Sequence, residues 1–432
     1  MNVTILPKLL SGTIRPPASK SQAHRLIIAA ALAEGKSTIS HVNNSQDITA
    51  TLRCMEALGA GYSWLDDTTV TVTGIAHSGS APKGEMDCGE SGSTLRFLIP
   101  VALAAAGQGT FRGHGRLMER PQEPYFQIFE EKGIHWEKGD GTLTVSGQLT
   151  PGTYSLRGDI SSQFITGLLY SLPLLEGDSD IVLTTALESS GYIDMTIQAL
   201  RHFGVTVSRT KQGWHVPGNQ KYLAADGSVE ADWSQAGFWY AAQGIGNDIT
   251  VTGMDPNSAQ GDRVILEWGR MLRNEPMEGG ITVPVLGSGP SENTSTASSG
   301  CGVSIDVSHS PDLVPPLAVW GALMNGTLHI KNAARLRIKE SDRLATVAEV
   351  LHAMGAEITE GADDLIIVGQ PSLSGGVTVS AHNDHRIAMM AAIAATRCRK
   401  KVTILGAECV RKSYPGFWDD YAALGGTLEV WE

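Results

Sequence analysis

The chain has 432 residues, of which 42% are hydrophobic, and its formal net charge is −12. This length and composition predict two domains or a repeat assembly with substantial buried cores. The acidic balance argues against broad nucleic-acid binding, which usually needs a basic face. Since no apolar run reaches about 18 residues and the chain starts without a signal-like segment, we expect neither a membrane span nor export.

The cysteines predict neither a disulfide framework nor a zinc site, because they are odd in number, scattered and without CxxC spacing. They are Cys54, Cys88, Cys301, Cys398 and Cys409. This usage is typical of a reducing compartment, and we expect a cytoplasmic protein.

Basic residues are concentrated in short segments that also carry glycine, serine or acidic residues. These segments are SKSQAHR at 19–25, SGSTLR at 91–96, MERP at 118–121, IKESDR at 338–343 and NDHR at 383–386. Local cationic clusters in a net-negative protein indicate binding sites for small anions.

A repeat of about 71 residues runs through the chain. Six segments share a polar cluster, an apolar stretch, a turn and a β-rich stretch, and they start at Ser19, Glu90, Ser161, Asp232, Ser310 and Asn383. The intervals between these starts are 71, 71, 71, 78 and 73 residues. The Gly/Ser/Thr-rich run at 285–300 lengthens the fourth interval, and we expect it to be an exposed loop.

A second recurring stretch predicts a helix that ends at a glycine and is followed by a strand. The glycines are Gly59, Gly133, Gly204, Gly355 and Gly425. Glycine favours helix ends because it adopts the left-handed cap conformation without a steric penalty. Each repeat therefore contains about two helices and several strands, and six repeats indicate two domains of three.

The polar clusters precede the apolar helices, so they lie at helix N-termini, where free N–H groups and the helix dipole favour anions. Lys20, Ser21 and Arg25 would surround one such start. Taken alone, these residues are also compatible with a solvated surface, and Ser161 and Ser162 with simple helix capping.

The chain resembles the 5-enolpyruvylshikimate-3-phosphate synthase family along nearly its whole length. The resemblance rests on SKSQAHR, ESGSTLRFL, RLMERP, DISSQFITGLL, ESSGYIDMT, SPDLVPPLA, LRIKESDRL, NDHRIAMM and RKSYPGFW, in this order. It implies an inside-out α/β barrel fold of two domains, each with three βαβαββ units. With the repeats, it predicts one domain over 18–228, the other over 1–17 plus 229–432, and an active site in the interdomain cleft.

The resemblance also implies the substrates, shikimate 3-phosphate and phosphoenolpyruvate, and the residues that bind them. It assigns the binding of shikimate 3-phosphate to Lys20, Ser21, Arg25, Ser161, Ser162, Gln163, Ser189, Asp312 and Lys339, with Tyr192 as a further contact. It assigns the binding of phosphoenolpyruvate to Lys20, Gly92, Arg120, Gln163, Arg343, Arg386 and Lys412. Arginine suits both anions because its planar fork binds carboxylate or phosphate oxygens in pairs.

The implied reaction needs proton transfers but no metal ion and no organic cofactor. We assign Asp312 to the acceptor hydroxyl and Glu340 to the methylene carbon, with Lys20 and Lys412 stabilising charge or relaying protons. On sequence alone, a surface ion pair of Glu340 with Arg343 is the favoured interpretation. We expect a monomer that binds neither nucleic acid nor membranes, and inhibition by glyphosate is plausible.

Other residues near these motifs have secondary roles. Arg96 would support the Gly92 loop, touch the anion or form a structural ion pair. His385 could orient Arg386 or Asp384. Cys409 lies close to Lys412 but has no Cys/His pattern of a nucleophile.

Four positions depart from the family pattern: Glu90, Ser93, Phe97 and Arg335. Glu90 and Ser93 replace frequent Asn and Thr beside the phosphoenolpyruvate loop, and Glu90 would weaken binding unless Arg96 or another cation pairs with it. Arg335 replaces an Asn that contacts the shikimate ring in some members, which puts that contact in doubt.

Two alternatives remain at this stage. One is the related enolpyruvyl transferase that acts on UDP-N-acetylglucosamine, although its N-terminal motif and cysteine-bearing loop are absent. The other is a non-catalytic anion-binding paralogue, which would have no need for both Asp312 and Glu340 beside the cations.

Overall fold

The structure is a computed structural model that describes residues 1–75, 84–273 and 302–432. These residues form two compact units. Unit 1 comprises Met1–Pro16, Trp233–Ser258 and Asp262–Glu432, and unit 2 comprises Pro17–Asp232 and Ala259–Gly261. The loop expected at 285–300 lies outside the described residues, and the interdomain active site stays a prediction.

The described part of unit 2 contains six α-helices. They are α1 Lys20–Leu32, α2 Gln46–Ala57, α3 Gly92–Ala106, α4 Glu123–Lys132, α5 Ser162–Ser171 and α6 Ser190–His202. Its strands outnumber the helices two to one in the part of unit 2 that the structure describes. They are β3 Lys36–Ser40, β4 Gly61–Trp64, β5 Val70–Thr73, β6 Met86–Asp87, β7 Gln108–Arg112, β8 His135–Lys138, β9 Thr142–Ser146, β10 Gly152–Leu156, β11 Ser179–Leu183, β12 Ser208–Arg209, β13 Gly213–Val216 and β14 Gly227–Ser228.

Unit 1 holds the remaining described helices and strands. The helices are α7 Trp233–Gly244, α8 Ile265–Leu272, α9 Val314–Leu323, α10 Arg343–Ala353, α11 His385–Ala395 and α12 Phe417–Ala423. The strands are β1 Asn2–Leu6, β2 Ser11–Ile14, β15 Asp248–Val251, β16 Gly302–Asp306, β17 Thr327–Lys331, β18 Glu357–Glu360, β19 Leu365–Val368, β20 Thr378–Ser380, β21 Val402–Leu405 and β22 Thr427–Trp431.

Five four-stranded sheets in the described residues share one topology. In unit 2 the strand orders are β14-β3-β5-β4, β6-β7-β9-β8 and β10-β11-β13-β12, and in unit 1 they are β16-β17-β19-β18 and β20-β21-β1-β22. The first pair of each sheet is parallel and the other two pairs are antiparallel. Strands β2 and β15 form a further parallel pair in unit 1. This arrangement confirms the predicted repeats of two helices and four strands.

Two sheets are completed by strands from distant parts of the chain. β1, near the N-terminus, pairs with β21 and β22 near the C-terminus, with Val3 opposite Ile404 and Val430. In unit 2, β14 lies beside β3, with Gly227 opposite Ile39. Each unit therefore closes only after a late segment joins an early one.

The polar clusters cap apolar helices, as the sequence predicts. Ser19 and Ser91 accept hydrogen bonds from backbone N–H groups in the first turns of α1 and α3, and Ser161 does so for α5. Asp384 caps α11 in the same way. Such caps satisfy N–H groups that have no partner within the helix.

The five helix-ending glycines also behave as predicted. All have positive φ angles, which run from 68° at Gly133 to 108° at Gly59. A side chain at these positions would be strained, because L residues rarely adopt this conformation.

Buried apolar helices form a separate core in each unit. α3 packs against α5 in unit 2, and α7, α9 and α11 pack together in unit 1. None of the described helices has both the length and the apolar character that a membrane crossing requires.

Candidate functional site

In unit 2 the predicted binding residues lie mainly at helix starts. We call them the helix-start cluster, which comprises Lys20, Ser21, Arg25, Gly92, Arg120, Ser161, Ser162, Gln163 and Ser189. Lys20, Gly92 and Ser162 are the first residues of α1, α3 and α5. Exposed N–H groups at such starts favour bound anions.

The Lys20 side chain forms an ion pair with a carboxylate that lies outside the sequence motifs. Its Nζ lies 2.7 Å from Oδ2 of Asp47, and the two side chains are 17% and 11% exposed. Its backbone N–H donates to Asp232 across 3.2 Å. Asp47 lies in the first turn of α2, a common position for acidic residues that gave no functional signal.

Arg25 is buried and fixed by several partners. Its Nε donates to Thr196 Oγ1 at 2.9 Å, and its Nη2 donates to the carbonyl of Tyr192 at 2.9 Å. Nη1 donates to the Ser21 carbonyl at 2.6 Å. The guanidinium also lies against the rings of Tyr192 and Phe97, and burial lowers its pKa. Tyr192, predicted as a substrate contact, positions Arg25 in this structure.

Gly92, Arg120 and Gln163 come together at the start of α3. A Cβ atom at Gly92 would lie 2.7 Å from Nη1 of Arg120 and 3.6 Å from Oε1 of Gln163. Glycine therefore allows the Arg120 guanidinium to approach the backbone closely. The Nε of Arg120 is buried without a hydrogen-bond partner among the described residues, as expected of a group placed to meet a ligand.

Arg96 supports Gln163. Its Nη1 donates to Gln163 Oε1 at 2.9 Å, and its Nη2 donates to the carbonyl of Pro121 at 2.9 Å. Burial and the nearby charge of Arg120 lower the pKa of Arg96 to about 9. Of the three expected roles, loop support is the one these contacts favour.

The start of α5 combines capping with side-chain support. Ser161 accepts from the backbone N–H of Gln163 at 3.3 Å, and the Gln163 amide donates to Ser93 Oγ at 3.0 Å. Ser162 is buried in the first turn. Ser189 precedes α6 with a left-handed φ of 55°, which is uncommon for a non-glycine residue and points to a functional constraint.

In unit 1 the structure brings together a dense group of charges. We call it the Asp312 cluster, which comprises Asp312, Lys339, Glu340, Arg343, Asp384, His385, Arg386 and Lys412. The carboxylate of Asp312 lies within 3.0 Å of Arg343 Nη1, 3.2 Å of Arg386 Nη2 and 3.3 Å of Lys339 Nζ. Four residues that the resemblance singles out thus form one network.

Charge pairing keeps Asp312 ionised. Burial alone would raise its pKa, but Arg386, Lys339 and Arg343 outweigh this effect and hold the pKa well below its usual range. Burial acts on Lys339 in the opposite direction, and it lowers the lysine pKa to about 8 although Asp312 opposes the shift.

Arg343 is fixed by a two-pronged contact with Asp384. Its Nε and Nη2 donate to the two carboxylate oxygens at 2.8 and 3.1 Å. Arg343 is 2% exposed and Asp384 is fully buried. Asp384 also accepts from the Arg386 backbone N–H at 3.0 Å. In the sequence, the signal for Asp384 is its acidic place in NDHR beside His385 and Arg386.

Glu340 is not part of a simple surface ion pair with Arg343. Its Oε2 lies 2.9 Å from Nδ1 of His385, whereas its Oε1 lies 3.8 Å from Arg343 Nη2. The expectation that His385 orients Arg386 or Asp384 did not include this contact with Glu340. Burial would raise the pKa of Glu340, but His385, Arg343 and Lys412 hold it well below its usual range.

Arg386 and Lys412 complete the cluster. Arg386 donates to Ser234 Oγ at 2.9 Å and to the Asp312 carbonyl at 3.1 Å. Lys412, 4% exposed, donates to the Asn383 carbonyl at 2.6 Å. Both cations are held in place by neutral oxygens as well as by charge.

The remaining expectations have plain structural outcomes. Arg335 donates to the Ser308 carbonyl at 3.0 Å. Cys409 is buried, and burial raises its pKa well above the usual range, which makes it a poor nucleophile. Ligand atoms of Glu340, Asp384 and His385 lie within 4.8 Å of one another, but two N–H groups of Arg343 already occupy Asp384, and such a cation disfavours a metal ion there.

Comparisons with known proteins identify the family of this chain. The family model described as EPSP synthase (3-phosphoshikimate 1-carboxyvinyltransferase) matches residues 6–421. Curated proteins named 3-phosphoshikimate 1-carboxyvinyltransferase from Clostridium acetobutylicum and Clostridium kluyveri are 46% and 44% identical, and each match covers 99% of this chain and 98% of the relative. A solved EPSP synthase from Acinetobacter baumannii aligns over 100% of both chains with a TM-score of 0.77 and 27% identity. The chain therefore belongs to the EPSP synthase family.

Proposed function

We propose that the residues of the two clusters carry out the reaction of this family, the transfer of the enolpyruvyl group from phosphoenolpyruvate to the 5-hydroxyl of shikimate 3-phosphate. The chain is a transferase of the shikimate pathway, which leads to chorismate and the aromatic amino acids. The observation that carries the residue roles is the Asp312 carboxylate, held ionised by three cations beside a Glu340–His385 pair.

Asp312 accepts the proton of the 5-hydroxyl. A carboxylate paired with three cations is a weak base, because the cations stabilise its charge. Binding of anionic substrates to Arg343, Arg386 and Lys339 draws part of that charge away and makes Asp312 more basic. The base is thus strengthened when the substrates are in place.

Glu340 delivers the proton to the methylene carbon of phosphoenolpyruvate. In this structure Glu340 is ionised, since the neighbouring positive groups lower its pKa. A bound substrate anion near Arg343 and Lys412 would raise that pKa, and His385, 2.9 Å away, is placed to exchange a proton with Glu340. The oxygen of the 5-hydroxyl bonds to C2 as the methylene carbon becomes a methyl group. In the resulting tetrahedral intermediate the methyl group returns a proton to Glu340, the bond between C2 and the phosphate oxygen breaks, and the released phosphate takes up the proton held by Asp312.

Two groups of residues that share Lys20 and Gln163 bind the two substrates. Phosphoenolpyruvate is held by Lys20, Gly92, Arg120, Gln163, Arg343, Arg386 and Lys412. Shikimate 3-phosphate is held by Lys20, Ser21, Arg25, Ser161, Ser162, Gln163, Ser189, Asp312 and Lys339. Arginines fixed by neutral oxygens and helix starts supply pre-oriented donors, which reduces the entropy lost when an anion binds. The chemistry of proton transfer and anion binding uses no metal ion and no organic cofactor.

Phosphate release tests the reaction directly. The purified protein is given both substrates, then each alone, with and without a metal chelator. We expect release only with both substrates, and no effect of the chelator. Turnover with UDP-N-acetylglucosamine in place of shikimate 3-phosphate would overturn the acceptor assignment, and absence of release from folded, substrate-binding protein would favour a non-catalytic role.

Three further properties belong to the proposal. We infer a monomer in the cytoplasm, in line with scattered cysteines and a net charge of −12. We also infer inhibition by glyphosate, a small anion suited to the cations that receive phosphoenolpyruvate. Light scattering, cell fractionation and a competition assay against phosphoenolpyruvate test these three points in turn.

A further inference from the structure

A row of buried polar side chains crosses the core of unit 2 from α1 to α3. His24, Thr51 and Thr94 are fully buried, and Ser91 is 1% exposed. Their surroundings are apolar, and the ring of Phe97 meets that of His24 edge-on. Polar groups in such a place cost free energy unless they are hydrogen-bonded to one another.

The four side chains are joined in one continuous chain of hydrogen bonds. His24 Nδ1 lies 2.8 Å from Thr51 Oγ1, and Thr51 Oγ1 lies 2.7 Å from Thr94 Oγ1. Thr94 Oγ1 donates to Ser91 Oγ at 2.8 Å. Three helices are therefore linked through hydroxyl groups, and the chain ends at the residue that caps α3.

One direction along this chain follows from the hydrogen bond that Thr94 donates to Ser91. Since the Thr94 hydroxyl donates to Ser91, its oxygen accepts from Thr51, and the Thr51 oxygen then accepts from the Nδ1–H of His24. His24 Nε2 is buried without a partner in the described residues, which fits an unprotonated nitrogen. Burial, together with Lys20 and Arg25, lowers the pKa of His24 well below its usual range, so the ring stays neutral.

The chain determines how the Ser91 hydroxyl is used. Ser91 Oγ accepts both from the Thr94 backbone N–H, at 3.2 Å, and from the Thr94 hydroxyl. Its own hydrogen must therefore point away from Thr94. Ser91 directly precedes Gly92, whose backbone lies against the Arg120 guanidinium.

A second contact ties the same chain to Lys20. The Thr94 hydroxyl lies 3.5 Å from the backbone carbonyl of Asp47, the residue whose carboxylate binds Lys20. A shift of Thr94 would thus be felt both at the start of α3 and next to Lys20.

We infer that His24, Thr51 and Thr94 are positioning residues that orient the Ser91 hydroxyl and the first turn of α3, and so set the affinity for phosphoenolpyruvate. This inference rests on the proposed assignment of Gly92 and Arg120 to that substrate. Ser91 itself would donate its free hydrogen toward the bound anion.

Thr51→Val is the most direct test, because it removes one hydroxyl of the chain at nearly constant volume and lies outside both clusters. We expect KM for phosphoenolpyruvate to rise about threefold to tenfold, the range for loss of one buried hydrogen bond. KM for shikimate 3-phosphate and kcat should change little, and Thr51→Ser should restore the wild-type KM. If Thr51→Val yields little folded protein, His24→Leu removes the first donor and carries the same expectation.

Thr110→Val is the matched control, since it breaks another threonine pair of unit 2, Thr110 with Thr144 across β7 and β9. It should lower thermal stability without changing either KM. Unchanged KM values in Thr51→Val, or equal rises for both substrates, would overturn the inference. Arg120→Ala separates the positioning inference from the substrate assignment on which it rests. If Arg120→Ala leaves KM for phosphoenolpyruvate unchanged, the assignment of Arg120 to this substrate is wrong.

Discussion

The helix-start cluster and the Asp312 cluster are both proposed to bind anions, but they are built differently. In the Asp312 cluster three carboxylates alternate with four cations, and Arg343 contacts two of the carboxylates within 3.1 Å. In the helix-start cluster the three cations Lys20, Arg25 and Arg120 lie among hydroxyls, an amide and backbone groups, and Arg25 is fixed by one hydroxyl and two carbonyl groups.

This difference indicates a division of labour. Charges that neutralise one another change their pKa values when a substrate anion enters, so the Asp312 cluster is suited to proton transfer. Donors that are fixed on rigid helix starts change little on binding and are suited to recognition. Substitutions in the Asp312 cluster should therefore lower kcat, and substitutions in the helix-start cluster should raise KM.

Asp312→Asn should have the largest effect. It removes the proton acceptor but keeps the side-chain shape, and kcat should fall about a hundredfold to ten-thousandfold. Phosphate release at saturating substrates measures kcat, and calorimetry with shikimate 3-phosphate checks that binding survives. Asp306→Asn, a change on β16 outside the cluster, is the control. A kcat near the wild-type value in Asp312→Asn would refute the role of Asp312.

His385→Asn should lower kcat by about tenfold to a hundredfold, the range for loss of a group that orients and recharges a catalytic side chain. The pH profile of kcat should also change, because Glu340 loses the residue with which it exchanges a proton. His329→Asn is a matched control, since His329 pairs with Asp364 at 2.7 Å in the same unit. Equal pH profiles for the two variants would contradict the Glu340–His385 pairing.

Gly92→Ala should raise KM for phosphoenolpyruvate by about tenfold or more, since a Cβ 2.7 Å from Nη1 of Arg120 must displace that guanidinium. The value of kcat should fall less, because the Asp312 cluster is untouched. Initial rates at varied phosphoenolpyruvate measure both constants. A variant with an unchanged KM would show that Arg120 does not bind this substrate from its observed position.

Loss of the Lys339 charge should have the smallest effect, and this effect should appear only at alkaline pH. With its pKa lowered to about 8, Lys339 loses its proton, and hence its positive charge, as the pH rises through this value. We expect kcat/KM for shikimate 3-phosphate to fall above about pH 8, because this ratio reports the free enzyme. Lys339→Arg keeps its charge and should lose the alkaline fall; a fall that persists would assign the effect to another group.

Much of the fold could be predicted because local rules and tertiary structure agree. The starts at Ser19, Ser91 and Ser161 are capping serines before apolar helices, and the helix-ending glycines adopt the predicted conformation. The pairing of β1 with β21 could not be read from the repeats, because it joins segments about 400 residues apart.

The site was predicted through motifs, whereas its internal contacts were not. Asp47 lies outside the motifs and Asp384 lies within NDHR without an assigned role, and only the folded chain shows that they hold Lys20 and Arg343. The Glu340–His385 pair joins residues 45 positions apart. No spacing rule predicts which carboxylate a buried histidine contacts, because the loops between the two residues determine how close they come in the folded chain.

Saturation behaviour of Asp312→Asn and Arg120→Ala tests the division of labour most directly. Phosphate release is measured for both variants and the wild type while phosphoenolpyruvate is raised far above the wild-type KM. The account predicts that Arg120→Ala recovers most of its rate at high phosphoenolpyruvate, whereas Asp312→Asn stays slow at every concentration. Recovery of Asp312→Asn at high substrate, or a low plateau for Arg120→Ala, would contradict it.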